Sequence, residues 1–295
     1  MLVIGATYAD IKGFSLGAYN PEGRNVGTVQ VVAGGVCRNV AEDLAKLGME
    51  VDFVSLVDET SLGERIKNEL KLHGLKMDHV FSAENGMGIW LAVLGNDGSL
   101  QGSISQQPCF DVLERYLYDY GEALVANTDG VVLEFDMNER IACHILELAE
   151  KYKKPIYAIV ANMGVILRHP EYLKKVTCFI CNEIEAGQLL HEELSHVAPE
   201  VMLSAIERYS SREAIRAMVV TMGGSGSVYV DNDAQASGYC PALSVEVIDT
   251  TGAGDAFFST VVASLTRGKS LAEAVCDGTE VAARTVQNRG STWKS

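Results

Sequence analysis

Asp249-Thr250-Thr251-Gly252-Ala253-Gly254-Asp255-Ala256-Phe257-Phe258 sets three small residues at a turn, with a carboxylate immediately after them. The apolar run Val245-Glu246-Val247-Ile248 leads in as a strand, and a helical stretch follows to about Leu265. Free backbone N–H groups at a helix start, uncrowded by side chains, form an anion site. Such a site suits the charge that develops on a phosphoryl group in transfer. Asp255, in the first helical turn, is placed to accept the proton of an attacking hydroxyl. The helix dipole opposes this by about 0.3–1 kcal/mol, less than the roughly 1.4 kcal/mol of one pKa unit. Orientation should therefore outweigh lost basicity. The plainer alternative is a glycine-rich turn with Asp255 merely favourable at a helix start.

Three more clusters fall where strands are expected to end. Gly34-Gly35 precedes a helix bearing Arg38 and Asn39, and glycines there let a ligand approach the backbone. Asn182-Glu183-Ile184-Glu185 follows the apolar run 176–181, and its oxygens suit Mg²⁺ held through water. Thr221-Met222-Gly223-Gly224-Ser225-Gly226 ends another run and suits nucleotide phosphates. In open α/β sheets ligands bind at that edge.

Around these clusters short β-rich runs alternate with helical stretches. Strands are expected at 1–6, 51–57, 129–134, 155–161, 176–181 and 217–222. Helices are expected around Val36, Val40, Leu44 and Leu47 with a stop at Gly48, and over about 60–73, 138–152 and 183–193. This alternation predicts a mainly parallel sheet with helices on both faces. Two segments, about 12–33 and 86–108, break the rhythm and read as a small antiparallel platform, a lid or an oligomer contact. The turn Gly95-Asn96-Asp97-Gly98 within the second is a hairpin signal. With 6 Pro, 28 Gly and no repeat or linker, the 295 residues read as one domain, 1–295.

Composition excludes several classes. Hydrophobic residues at 47% and charged residues at 21% describe a globular chain with a sizeable core. The net charge of −15 repels a phosphate backbone, so no nucleic-acid partner is expected. No apolar run reaches the ~20 residues of a membrane span. The first residues lack the basic lead of a signal peptide, so a cytoplasmic location is expected. The 7 cysteines are scattered and do not form a disulfide framework. In the one CxxC, Cys178 and Cys181 would point to opposite faces of a strand and share no metal. His191-Glu192-Glu193-Leu194-Ser195-His196 is one residue too long for a zinc HExxH and reads as a solvated helix face. GxxxxGK[ST] is absent. Phe257 and Tyr229 occupy the third glycine of GxGxxG, so P-loop and dinucleotide readings are weak.

Taken together, Gly34-Gly35…Asn39, Asn182-x-x-Glu185 and Asp249-Thr250-x-Gly252-Ala253-Gly254-Asp255 resemble, in order and spacing, ribokinase-like (PfkB) sugar and nucleoside kinases over nearly the whole chain. The resemblance implies a three-layer α/β/α sandwich with a mainly parallel central sheet and a small β-sheet lid that often mediates homodimers. It implies Asp255 as catalytic base, with Gly252, Ala253 and Gly254 as the anion hole. Asp10, Gly34, Gly35 and Asn39 would bind substrate. Asn182, Thr221, Gly223, Gly226 and Asn288 would serve the nucleotide, Glu185 would organise Mg²⁺ through water, and a monovalent cation such as K⁺ would sit near Asp249.

Within the family, Ala9-Asp10-Ile11-Lys12-Gly13, residues 34–42 and the strand 90–94 are most similar to pseudouridine kinases. Departures are Asp58 after Val57 without the usual Gly, Ala161-Asn162-Met163 for Asp-Pro-Asn, and Ser105-Gln106-Gln107-Pro108 in the lid. The expected activity is ATP-dependent phosphorylation of a hydroxyl on a small ribosyl compound, pseudouridine first. Alternatives are a ribokinase or fructokinase, or a non-catalytic nucleotide- or nucleoside-binding regulator.

Overall fold

The computed structural model describes residues 1–161, 163–288 and 292; Asn162, one of the departures above, lies outside them. The chain opens with β1 (Leu2–Ile4), whose three residues are all buried, and then enters a separate pair, β2 (Tyr8–Ser15) and β3 (Gly27–Gly34). It returns through α1 (Val36–Lys46), β4 (Asp52–Asp58), α2 (Ser61–Leu72) and β5 (Val80–Ala83). A second excursion, β6 (Gly88–Leu94) and β7 (Leu100–Gln106), precedes α3 (Asp111–Ala126), β8 (Val131–Glu134) and α4 (Glu139–Tyr152). Next come β9 (Ile156–Ile159), α5 (Gly164–Arg168), β10 (Cys178–Asn182), α6 (Glu183–Leu190) and α7 (Pro199–Arg212). The remainder is β11 (Ala217–Thr221), β12 (Ser227–Asp231), β13 (Ala236–Cys240), α8 (Ala253–Thr266) and α9 (Leu271–Thr285).

Nine strands form the central sheet in the order β13-β12-β11-β10-β9-β8-β1-β4-β5. Its neighbours pair in parallel except for the antiparallel edge formed by β11, β12 and β13. Side chains alternate between two buried faces because strand periodicity is two. Leu2, Ile4, Phe179 and Cys181 join the core under α3, α4, α6 and α7. Val3, Cys178 and Ile180 join the core under α1, α2, α8 and α9. Cys178 and Cys181 thus lie on opposite faces, as the period-two reading requires, and both thiols are pushed far up by burial.

Strands β2, β3, β6 and β7 form the smaller sheet, in the order β3-β2-β6-β7. Its hairpin closes at 95–98, with Gly98 at φ 80. Two expectations need correction here. The platform is mixed rather than antiparallel, because β2 and β6 run parallel. Its first strand also begins earlier than expected, at Tyr8 rather than about 12, so Asp10 lies on this smaller sheet. The lid is tied down where the usual glycine is missing, since Met87 N–H donates to Asp58 Oδ1 at 2.9 Å.

Two further local readings change. Residues 245–248 are not a strand: Val247 and Ile248 are exposed, and the amides of Ile248 and Asp249 donate to Val286 O at the end of α9. A single carbonyl at a helix end cannot support a ladder, so the segment is an extended arm. Helix α6 stops at Leu190, with His191 left-handed at φ 57. The 191–196 stretch is therefore a loop folded back on Glu183, whose Oε2 accepts His196 N–H at 2.7 Å.

Candidate active site

Two helix starts converge on the same place, because α1 and α8 pack against each other. Gly35 begins α1 at φ 100, and a Cβ there would fall 2.7 Å from Ala6 O. Gly252 begins α8 at φ 77, a left-handed conformation that glycine adopts without strain. No side chain caps α8, and a Cβ on Gly254 would meet nothing within 4 Å. The turn is open, and the orphan amides of the first turn remain for an anion.

Asp255 is the third residue of α8, and its Oδ2 accepts Asn39 Nδ2–H at 2.6 Å. This contact joins the two motifs across 216 positions of sequence. Asp255 keeps some accessible surface, yet its carboxylate is enclosed enough that burial pushes its pKa up to about 6. The Asn39 hydrogen bond and the Arg38 charge pull it back, and Glu185 adds to the rise. Burial is the largest influence on the basicity of this group.

Asp10 reaches the site from the lid. A Cβ on Gly34 would lie 2.5 Å from Asp10 Oδ1, so this glycine admits the carboxylate. Burial raises the Asp10 pKa, against the lowering effects of Lys12 and Arg38. Trp90 is the register partner of Asp10 on β6, and Lys12 Nζ lies 5.9 Å from its ring centroid. Tyr8, two residues before Asp10 and on the same face, donates from its hydroxyl to Gln107 Oε1 at 2.7 Å.

The remaining residues line the same edge of the sheet. Asn182 and Glu185 form a reciprocal cap on α6: Asn182 Oδ1 accepts two amides, and Glu185 Oε2 accepts Asn182 N–H at 2.8 Å. Thr221 pairs in register with Asn182 and donates to Cys181 O at 3.4 Å. Gly223 and Gly226 have φ 52 and 90, and a Cβ on Gly226 would fall 2.3 Å from Cys240 O. Asp249 Oδ1 accepts Thr251 N–H at 2.9 Å, which shapes the loop before α8. Asn288 is exposed just beyond α9, two residues from the carbonyl that holds the Asp249 amide. Asn39 thus touches Asp255, and Asp10 lies against Gly34, which immediately precedes the glycine that opens α1. Asn182 and Thr221 end neighbouring strands, with Glu185, Gly223 and Gly226 shortly after them, and Asn288 lies just beyond α9.

Sequence reasoning missed Glu134 and named Arg38 without giving it a role. Glu134 ends β8 buried, accepts Ala6 N–H on Oε2 at 2.9 Å, and is raised to about 8, chiefly by burial. The available signal was a single carboxylate in the otherwise apolar run 131–135. Arg38 is also buried; it pairs with Glu42 Oε2 at 2.8 Å and donates to Asn39 Oδ1.

A family model described as pfkB family carbohydrate kinase matches residues 1–294. The chain belongs to that family. Among curated proteins the kinase is 38% identical over 96% of its length to a guanosine-inosine kinase of Exiguobacterium acetylicum, covering 93% of that protein. It is 25% identical to a pseudouridine kinase of Escherichia coli, over 93% of this chain and 86% of the other. Its fold matches Arabidopsis thaliana ribokinase complexed with ribose and ATP, at a TM-score of 0.84 and 23% identity over 98% of this chain and 93% of the other. The kinase is thus a phosphotransferase with an alcohol group as acceptor, on the ribokinase-like α/β fold. Among the described residues no helix is long and apolar enough to cross a membrane.

Proposed function

We propose that the kinase transfers the γ-phosphoryl group of ATP to a ribosyl hydroxyl of a nucleoside, with a purine ribonucleoside such as guanosine or inosine as first candidate. The carrying observation is the 2.6 Å contact between Asn39 and Asp255, which joins the substrate glycine turn to the helix that opens at the anion site. The choice of a purine nucleoside rests on the 38% identity to the guanosine-inosine kinase, against 25% to the pseudouridine kinase. Pseudouridine remains the second candidate because of the motif similarity at Asp10 and at 34–42.

In this reading Asp10, Gly34, Gly35 and Asn39 hold the ribose. Asp255 takes the hydroxyl proton as the oxygen attacks phosphorus in line. The first-turn amides at Gly254 and Asp255 remain to meet the charge that grows on the transferred group, while Ala253 N–H closes the turn onto Thr250 O. Thr221, Gly223, Gly226, Asn182 and the Asn288 region serve the nucleotide. No cluster of three or more His, Cys, Asp or Glu among the described residues could hold a metal on protein ligands alone. A single carboxylate, Glu185, fits a Mg²⁺ that keeps its waters and the donor phosphates as ligands. Bound there, Mg²⁺ would neutralise phosphate charge. The loop shaped by Asp249 is the proposed seat of K⁺.

We further propose a cytoplasmic homodimer through the outer face of the lid, where Val29 is 70% and Ile104 69% exposed and Leu91 is partly exposed between them. The deciding assay is ADP release from ATP, with Mg²⁺ and K⁺, across guanosine, inosine, pseudouridine, ribose and fructose. Preference for guanosine or inosine is the expected result. Preference for ribose or fructose overturns the nucleoside reading.

A further inference from the structure

An asparagine amide has two faces, one accepting and one donating, and they differ little in shape. Asn39 contributes to the site only if its NH₂ faces Asp255, because an ionised carboxylate accepts and cannot donate. Arg38 is the group that enforces this choice. Its Nη2 donates to Asn39 Oδ1 and, at 3.1 Å, to Ala33 O. A guanidinium has donors only, so Asn39 Oδ1 must turn toward Arg38 and Nδ2 toward Asp255.

Arg38 is itself held. Its Nη1 pairs with Glu42 Oε2 at 2.8 Å, one helical turn along α1. Glu42, only 1% exposed, also accepts from Lys46 Nζ at 2.6 Å and Thr292 Oγ1 at 2.7 Å, with His73 Nδ1 at 3.0 Å. Burying such a pair is costly, and apolar residues of similar size in its place are often as stable or more so. A cost kept inside the core, one hydrogen bond from the Asn39–Asp255 contact, calls for a reason other than packing.

We infer that Arg38, anchored by Glu42, is a positioning residue that fixes the orientation of the Asn39 amide and through it the carboxylate of Asp255. The inference rests on Asp255 being the base. Without Arg38, Asn39 can present its oxygen to the carboxylate, and the two acceptors repel. Besides Arg38, the titratable groups around Asp255 are Cys37 on α1, Glu134 at the end of β8 and Glu185 on α6, and the test leaves them in place.

Arg38→Met alone deprives the buried Glu42 Oε2 of its guanidinium partner, so the decisive variant is Arg38→Met with Glu42→Gln. The expected result is a folded protein with near-native melting temperature and an unchanged KM for ATP. Its kcat falls about 10²-fold, the usual cost of slight misplacement, and the acid limb of kcat/KM moves to higher pH. Arg38→Lys, which keeps the charge but not the planar fork, should hold the acid limb and still lose turnover. Two readouts need no turnover and separate this inference from the assigned reaction. One is a neutron crystal structure of the double variant, which shows the deuterons of the Asn39 amide directly. The other is a ¹³C-carboxyl NMR titration of Asp255, its signal assigned by its loss in Asp255→Asn. A turned amide supports the inference even if no panel substrate is consumed, and a raised Asp255 pKa with the amide unturned, which loss of the Arg38 charge alone would give, overturns it. An intact Asn39–Asp255 contact in the variant overturns it, as does native turnover.

Discussion

Glu134 Oε2 accepts the backbone N–H of Ala6 at 2.9 Å, so the end of β8 fastens the chain as it leaves β1, 128 positions earlier. Burial raises this carboxyl from 4.5 to about 8. The native state therefore binds a proton that the unfolded chain releases between about pH 4.5 and 8. Its stabilising contribution is complete below that window and is lost as pH rises through about 8. Glu134→Gln keeps an oxygen for Ala6 and cannot ionise. Its melting temperature should match the wild type near pH 5 and exceed it increasingly toward pH 9, measured by calorimetry on the ligand-free protein.

Asp255→Asn should keep nucleotide affinity and lose about 10²–10⁴ in turnover, the usual worth of general acid–base catalysis. Steady-state kinetics with ATP binding measured by calorimetry checks both halves. Turnover at the wild-type level would remove Asp255 from the role of base.

As the proposed base, Asp255 must be ionised to work, and burial holds it at about 6 rather than near its ordinary 3.8. The plot of kcat/KM against pH should fall tenfold per unit below about 6. A limb near pH 4 would mean that the site is wetter than its geometry indicates.

Two glycines two positions apart should respond differently to a methyl group. Gly226 has φ 90 and lies against Cys240 O, so Gly226→Ala should strain the turn by about 1–3 kcal/mol. It should also raise KM for the nucleotide. Gly224 has open space around it, so Gly224→Ala should leave the melting temperature nearly unchanged. Thermal melts and ATP titrations of the two variants make the comparison.

For the lid, light scattering should give a dimeric mass, and Val29→Glu combined with Ile104→Glu should give a monomer, since unpaired charges buried at an interface are costly. A dimer that survives both substitutions places the contact elsewhere.

Much of this was legible because the signals were local. Gly48, expected to stop the first helix, has φ 82 just past α1. The 95–98 turn closes the hairpin between β6 and β7. The glycine motifs open α1 and α8 as their spacing indicates. Helix α7 carried an equally local signal that the reading did not use: Pro199 in its first turn, then Met202, Ala205, Ile206 and Tyr209 on one face. So did α9, with its Ser270–Glu273 capping box.

What the sequence hid was tertiary. Residues 245–248 look like a strand because three of the four are apolar, yet no partner strand is available to them. The parallel pairing of β2 with β6 joins residues 8–14 to residues 88–94, and no local spacing links the two segments. The basicity of Asp255 follows from enclosure by parts of the chain that no spacing rule links to it. The pseudouridine similarity rested on short segments, whereas the whole-chain comparison has its higher identity with a guanosine-inosine kinase.

The contact between Asn39 and Asp255 also bears on how the protein is made. A ribosome delivers α1 early and α8 only after every strand of both sheets has been synthesised. A nascent chain with every strand synthesised still lacks Phe257, Phe258, Val261 and Val262, which cover one face of the central sheet, and the Asp255 carboxylate with them. With Asp255 as the proposed base, translation products that stop short of α8 are inert as kinases, so ATP turnover waits on the same helix that completes this face of the core.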